Sequence, residues 1–355
     1  MRRFLPLLLT LAALLLAACS DGSTAPDDGG DSGGNPPAPG DVDPFALNER
    51  IGRGINLGNA LEAPNEGEWG LTLESGYFDA IRDAGFTSVR IPIRWSTHAG
   101  EGAPYRLDTD FLDRVNWAVD QALSRGLVAI INMHHYEELM SDPDNHEARF
   151  LGIWGQVADF FQDRPEELIF ELCNEPNDRL TAARWNALLI QAIDVVRATN
   201  PGRTLMVGGP EWNGIGGLSQ LNLPQDDANL IVTFHYYNPF NFTHQGAEWV
   251  DGADAWLGTT WSGTPAQRQA VIDDLNGAFL WGQQNARPLH LGEFGAYSRA
   301  DMTSRALWTA FVARVAEGYG ISWAYWEFGS GFGAYDPQMG AWRQPLLEAL
   351  IPAAL

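Results

Sequence analysis

Eight short apolar runs recur along the chain, at 54–57, 88–92, 127–132, 168–172, 204–207, 230–234, 288–291 and 322–326. Each is strand-length and bounded by polar or turn-forming residues, so each reads as a buried β-strand. The stretches between them change period. Residues 111–124 place apolar side chains at 111, 112, 115, 118, 119 and 122, which is one face of a helix. Residues 182–198 and 305–317 read the same way. Strands alternating with helices predict a parallel sheet, and eight such units close into a (β/α)8 TIM barrel. The rival is an open doubly wound sheet, but the turn from Gly52 to Gly58 has one residue too many for G-x-G-x-x-G.

The N-terminal segment belongs to neither pattern. Arg2 and Arg3 precede a short apolar stretch that ends in Leu16-Ala17-Ala18-Cys19. That order reads as a signal peptide over 1–19, too short for a spanning helix. Its last four residues resemble a bacterial lipobox, which would make Cys19 the lipidation site and the only tie to a membrane. The other cysteine, Cys173, would then have no partner for an intrachain disulfide. Residues 20–43 are Asp, Gly, Ser and Pro with almost nothing apolar, a composition that reads as a disordered tether. The folded domain is expected over 44–355, about 310 residues, which suits a single barrel of roughly 250 or more.

Charge narrows the partner. The net charge is −23, so a nucleic acid is excluded, because neutralising phosphates requires a basic surface. All 22 cationic residues are Arg and none is Lys, which removes Schiff-base, pyridoxal and P-loop chemistry. Fourteen Trp exceed the needs of a core and suit a cleft that stacks flat rings. An extracytoplasmic monomer acting on a neutral polymer is the expectation.

In a barrel, the C-terminal ends of the strands face one cleft. Read in order, those ends offer Asn59 and Glu62, Arg90, His134 and His135, Asn174 and Glu175, His235 and Tyr237, Glu293, and Trp326. Only the fifth strand offers nothing. Glu175 and Glu293 each close an apolar run, where a charged group has little structural reason to be. Two carboxylates converging on one bound group is the constellation glycoside hydrolysis requires. They must differ: a proton donor needs a raised pKa, and a nucleophile must stay ionised. Arg90 and Tyr237 are suited to keep Glu293 charged, and a desolvated Glu175 beside Trp and His to hold its proton. His134, His135 and His235 suit sugar hydroxyls or the carboxylates, though each also fits a core histidine. Adjacent histidines make a poor zinc site, there is no H-E-x-x-H, and Asp142, Asp144 and Asn145 lack the glycine of an EF-hand. No metal and no organic cofactor is expected. Trp69, His244 and Trp249 lie in loops or helix starts over the same face.

With these residues in place, the chain resembles glycoside hydrolase family 5, the cellulase family A, from about Asn48 to Ile351. The motifs are Arg-Gly-Ile-Asn-Leu-Gly-Asn-Ala-Leu-Glu-Ala-Pro, Val-Arg-Ile-Pro-Ile-Arg-Trp, Asn-Met-His-His-Tyr, Phe-Glu-Leu-Cys-Asn-Glu-Pro, Phe-His-Tyr-Tyr-Asn-Pro-Phe, Leu-Gly-Glu-Phe-Gly and Ala-Tyr-Trp-Glu-Phe. The resemblance implies Glu175 as acid/base and Glu293 as nucleophile, with Asn174 on the 2-hydroxyl of the attacked sugar. Arg90, His134, His235, Tyr237 and Trp326 match its remaining invariant positions. Asn59 to Glu62, His135, Phe242 to Gln245 and Trp249 resemble an endoglucanase branch, some of whose members also accept mannans. The expected activity is therefore a retaining endo-β-1,4-glucanase. A β-mannanase, a mixed-linkage β-glucanase or a dual enzyme is the alternative, and a non-catalytic glycan-binding lipoprotein the more distant one.

Overall fold

The computed structural model describes residues 43–353. The leader, Cys19 and the tether as far as residue 42 lie outside the described residues. Asp43, the last residue assigned to the tether, caps the first helix by accepting from Phe45 N–H at 2.9 Å.

All eight expected strands form, in chain order: β1 (Arg53–Asn56), β2 (Ser88–Ile91), β3 (Val128–Asn132), β4 (Leu168–Glu171), β5 (Leu205–Gly208), β6 (Leu230–His235), β7 (Leu289–Phe294) and β8 (Ser322–Tyr325). Each pairs in parallel with the next, and β8 pairs with β1, so the sheet is a closed barrel and not an open one. The strand that departs most from expectation is β7, which runs three residues further. Its side chains at His290 and Glu293 both turn inward, and a register shift between Leu291 and Phe294 absorbs the change of phase.

The helices are α1 (Pro44–Ile51), α2 (Ser75–Ala84), α3 (Thr109–Leu123), α4 (Glu137–Ser141), α5 (Pro143–Phe160), α6 (Ala182–Arg197), α7 (Phe240–Thr243), α8 (Pro265–Asn285), α9 (Met302–Gly318) and α10 (Gln344–Leu350). A small antiparallel pair, β9 (Tyr335–Asp336) and β10 (Ala341–Trp342), follows the barrel. Of the outer helices, α3, α6 and α9 match the apolar periodicity. α8 was harder to see, because its buried stripe is only Val271, Leu275, Ala278 and Gly282. Its start is nevertheless written locally. Thr264 accepts from Gln267 N–H, the Gln267 side chain accepts from Thr264 N–H, and Pro265 occupies the first turn.

Two apolar cores result. The larger lies between barrel and helices. The smaller fills the lower barrel, where Val128, Ile130, Ile169, Met206 and Ile231 meet Leu47 and Ile51 of α1, which plugs the bottom. The strands are apolar throughout because both faces are covered. Toward the C-terminal ends the barrel interior becomes polar, and there the site begins.

Candidate active site

Arg90 is the centre of the polar interior. It projects inward from β2, and no part of it is open to solvent. All five of its N–H groups are used: Nε and Nη2 on the two oxygens of Glu171, Nη1 on Asn56 Oδ1 and Glu293 Oε1, and Nη2 again on Asn174 Oδ1, at 2.6 to 2.8 Å. A planar fork that saturates carboxylates in this way fixes their positions as well as balancing their charge. Glu171 and Asn56 are parts that sequence reasoning passed over. A charged residue at the inward end of the β4 run was the available signal for Glu171.

Glu293 therefore has one oxygen on Arg90. The other accepts from the Tyr237 hydroxyl at 2.9 Å. Burial and the neighbouring carboxylates push the Tyr237 phenol well above its ordinary value, so it remains a donor.

Glu175 sits in different company. It lies four residues past the end of β4, at φ +50°, with a side chain 27% exposed to the cleft. Its Oε1 is 2.7 Å from His235 Nδ1. Desolvation raises Glu175 to about 7, and the Arg90 charge opposes this only in part. Desolvation also lowers His235 to about 4. The imidazole is thus neutral near pH 7, and Glu175 is poised between its acid and its carboxylate. With Glu175 protonated, its O–H donates to Nδ1; with Glu175 ionised, the ring donates from Nδ1.

One oxygen of Glu175 and one of Glu293 lie within 4.8 Å of each other and of His235 Nδ1. Three such groups could hold a metal by distance alone. Here each already has a protein partner, and the Arg90 guanidinium 2.7 Å from Glu293 opposes a second cation. The donor set does not fit a resident metal.

The remaining expected residues divide into those that face the cleft and those behind it. A cavity of about 570 Å³ is lined by Asn59, Trp69, His134, His135, Asn174, Glu175, Tyr237, His244, Trp249, Glu293, Tyr297, Trp326 and Phe332, among others. Trp326 forms one wall, and a Cβ on Gly58 would come within 2.9 Å of its ring. The His134 ring stacks parallel to Trp326, with centroids 5.7 Å apart. The Asn132 amide donates to His134 Nδ1 at 3.1 Å, which leaves the ring proton on Nε2, as a donor. His135 reaches the same cleft through φ +49°, so adjacent histidines do not face opposite ways. His244 leans on Phe240 with centroids 4.0 Å apart and bonds Thr243 Oγ1 through Nδ1.

Glu62 is behind the cleft. It is fully buried, its Oε2 accepts from Ala60 N–H at 3.0 Å, and its Oε1 accepts from Asn59 N–H. Among the substrate-binding and supporting residues expected at the strand ends, its contacts are of the supporting kind: it holds the turn at Asn59 (φ +64°). The same turn is held by Glu327, a buried residue not anticipated from sequence. Glu327 accepts from Asn59 Nδ2 at 3.0 Å and from Phe332 N–H at 3.1 Å.

A second cavity of about 670 Å³ is lined by Glu175, Trp212, Phe240, Trp249 and Asp274, among others. The two cavities share Glu175, Tyr237, His244 and Trp249.

Comparison with known proteins agrees with this geometry. Residues 53–331 match the Cellulase (glycosyl hydrolase family 5) family. Endoglucanase H of Acetivibrio thermocellus is 39% identical over 303 residues, covering 85% of this chain and 32% of that protein. The cellulase/esterase CelE of the same organism is 28% identical, over 81% of this chain and 37% of CelE. This chain thus spans about a third of the length of those two relatives. The solved endoglucanase Cel5A of the hyperthermophilic Thermotoga maritima is 52% identical, with a TM-score of 0.86, over 87% of this chain and 100% of that one. That enzyme has been solved in complex with cellobiose and with mannotriose. The family's pattern over 53–331, on a closed eight-stranded barrel with two glutamates at its mouth, makes this chain a member of the cellulase family, glycosyl hydrolase family 5.

Proposed function

We propose that the chain is a retaining endo-β-1,4-glucanase. Glu293 attacks the anomeric carbon as Glu175 protonates the departing oxygen, and the glycosidic bond breaks. Glu175, now a carboxylate, takes a proton from water, which displaces Glu293 from the sugar. The observation that carries the reading is the pair itself. One oxygen of each lies within 4.8 Å of one of the other, and the two sit in opposed environments, one saturated by Arg90 and Tyr237, the other desolvated beside a neutral histidine. Retaining enzymes hold the two carboxyls about 5 to 5.5 Å apart, and inverting ones roughly 6.5 to 9.5 Å. Two cavities that meet at Glu175 give room for a chain longer than one sugar, which supports cutting within a chain. The family and the named endoglucanases support a glucan.

Mannan is the second reading, because the Thermotoga maritima relative has been solved with mannotriose. Glucose and mannose differ by one axial hydroxyl at C2, a contact worth only a few kcal/mol, so dual activity is compatible with this cleft. Initial rates on soluble cellulose, mixed-linkage glucan and glucomannan, with Glu175→Gln and Glu293→Gln alongside, test the proposal. Cleavage of β-glucan that collapses in both variants supports it. Binding without cleavage would make the barrel a glycan-binding protein.

We also propose that the enzyme is extracytoplasmic and tethered through lipidated Cys19, on the strength of the Leu16-Ala17-Ala18-Cys19 sequence. Among the described residues no helix is long and apolar enough to cross a membrane. Release of a Cys19→Ala variant from the membrane fraction is the expected result; unchanged fractionation would remove the anchor from the account.

A further inference from the structure

Strand β5 ends at Gly208 and continues into Gly209, so its tip carries no side chain. The space above it is taken by Asn213, whose side chain folds back over the strand end. A Cβ on Gly208 would overlap its carboxamide.

Asn213 is fully buried and is the last of three consecutive residues in the left-handed region, after Glu211 and Trp212. In the orientation its neighbours require, its amide donates to Gly209 O at 2.8 Å and accepts from Glu175 N–H at 3.3 Å. Its main-chain oxygen accepts from His235 N–H at 2.8 Å, and Trp212 N–H donates to Pro176 O at 3.2 Å. One residue therefore grips the backbone of both members of the Glu175–His235 pair. Glu175 is itself at φ +50°, a conformation that a non-glycine residue keeps only where its surroundings over-determine it.

We propose that Asn213 is a positioning residue for the acid/base, holding Glu175 in its left-handed backbone and at hydrogen-bond distance from His235. The empty tip of β5 is the room that this contact needs. The inference rests on the reading of Glu175 as acid/base. It assigns Asn213 no contact with substrate.

The test exploits the fact that only a poor leaving group needs a proton. kcat/KM is measured for dinitrophenyl and phenyl β-cellobiosides in wild type, Asn213→Ala, Asn213→Ser and Glu175→Gln, with thermal melts to confirm folding. Asn213→Ala is expected to slow the phenyl substrate at least tenfold more than the dinitrophenyl one. Asn213→Ser, which keeps the main-chain bond to His235 and a small acceptor, is expected to fall between, and it serves alone if the alanine variant does not fold. The alkaline limb of kcat/KM is expected to move to lower pH as Glu175 turns toward water. Equal losses on the two substrates with an unmoved pH profile, or no loss, would overturn the inference. If Glu175→Gln itself leaves the substrate ratio unchanged, the assignment of Glu175 fails instead.

Discussion

Arg90 Nη1 lies 2.7 Å from Glu293 Oε1, and the same guanidinium spends its other four N–H groups on Glu171, Asn56 and Asn174. Glu293, the proposed nucleophile, is thus positioned by a residue that never meets solvent. Removing one partner of a buried ion pair leaves the other uncompensated. Arg90→Met is accordingly expected to lower unfolding free energy by about 3–5 kcal/mol in urea titration. Arg90→Lys keeps the charge but has three donors for five acceptors' places. It should recover part of the stability while kcat stays on the order of 100-fold or more below wild type.

The alkaline limb of the rate profile follows from Glu175. In the proposed mechanism the first step needs its proton, and burial raises it to about 7. The protonated fraction falls as pH rises through that value, so kcat/KM is expected to drop about tenfold per pH unit above it. Stopped assays from pH 5 to 9 measure this; a limb unaffected by Glu175→Gln would mean another group sets it.

Gly58 is predicted to matter for binding and not for chemistry. A side-chain carbon there would press on the Trp326 ring at 2.9 Å without touching either carboxylate. Gly58→Ala is expected to raise KM several-fold on soluble glucan with kcat nearly unchanged, the pattern of a lost uniform contact. A fall in kcat at constant KM would show that Trp326 acts in the transition state.

Two buried glutamates should make stability depend on pH. Burial raises Glu62 to about 7 and Glu327 to about 8, from 4.5. Between pH 4.5 and 8 the folded chain holds protons on these two groups that the unfolded chain has lost, so their contribution to stability is full at the acid end and falls as pH rises. The buried histidines, with lowered pKa values, act in the opposite sense below about pH 6.5, so the decline is read above it, in melting temperatures at pH 7, 8 and 9. Glu327→Gln, which has no proton to lose, is expected to flatten that slope whatever its offset at pH 7. An equally steep slope in the variant would place the titration elsewhere.

The barrel was legible because strand and helix periods differ, and because eight apolar runs have only a few ways to close. Glu175 and Glu293 were legible as candidates because charge at the end of an apolar run is costly unless it works. What was not legible depended on long-range geometry. Nothing local distinguishes Glu62, which turns inward to hold its own loop, from a glutamate that faces the cleft. Glu171 hid inside a strand, and Glu327 behind the more conspicuous Trp326. Asn213 was hidden twice, in a loop without periodicity and above a strand that ends in glycine. Only folding brings it to Glu175 and His235.

The most direct test of the account is to trap its intermediate. Incubation with a 2-deoxy-2-fluoro-β-cellobioside bearing a good leaving group slows the second step more than the first, and intact-mass and peptide analysis then locate the sugar. The account predicts one covalent glycosyl group per chain, on Glu293, released on turnover with a sugar acceptor. No adduct from a chain that hydrolyses β-glucan, or an adduct on Glu175, would contradict it.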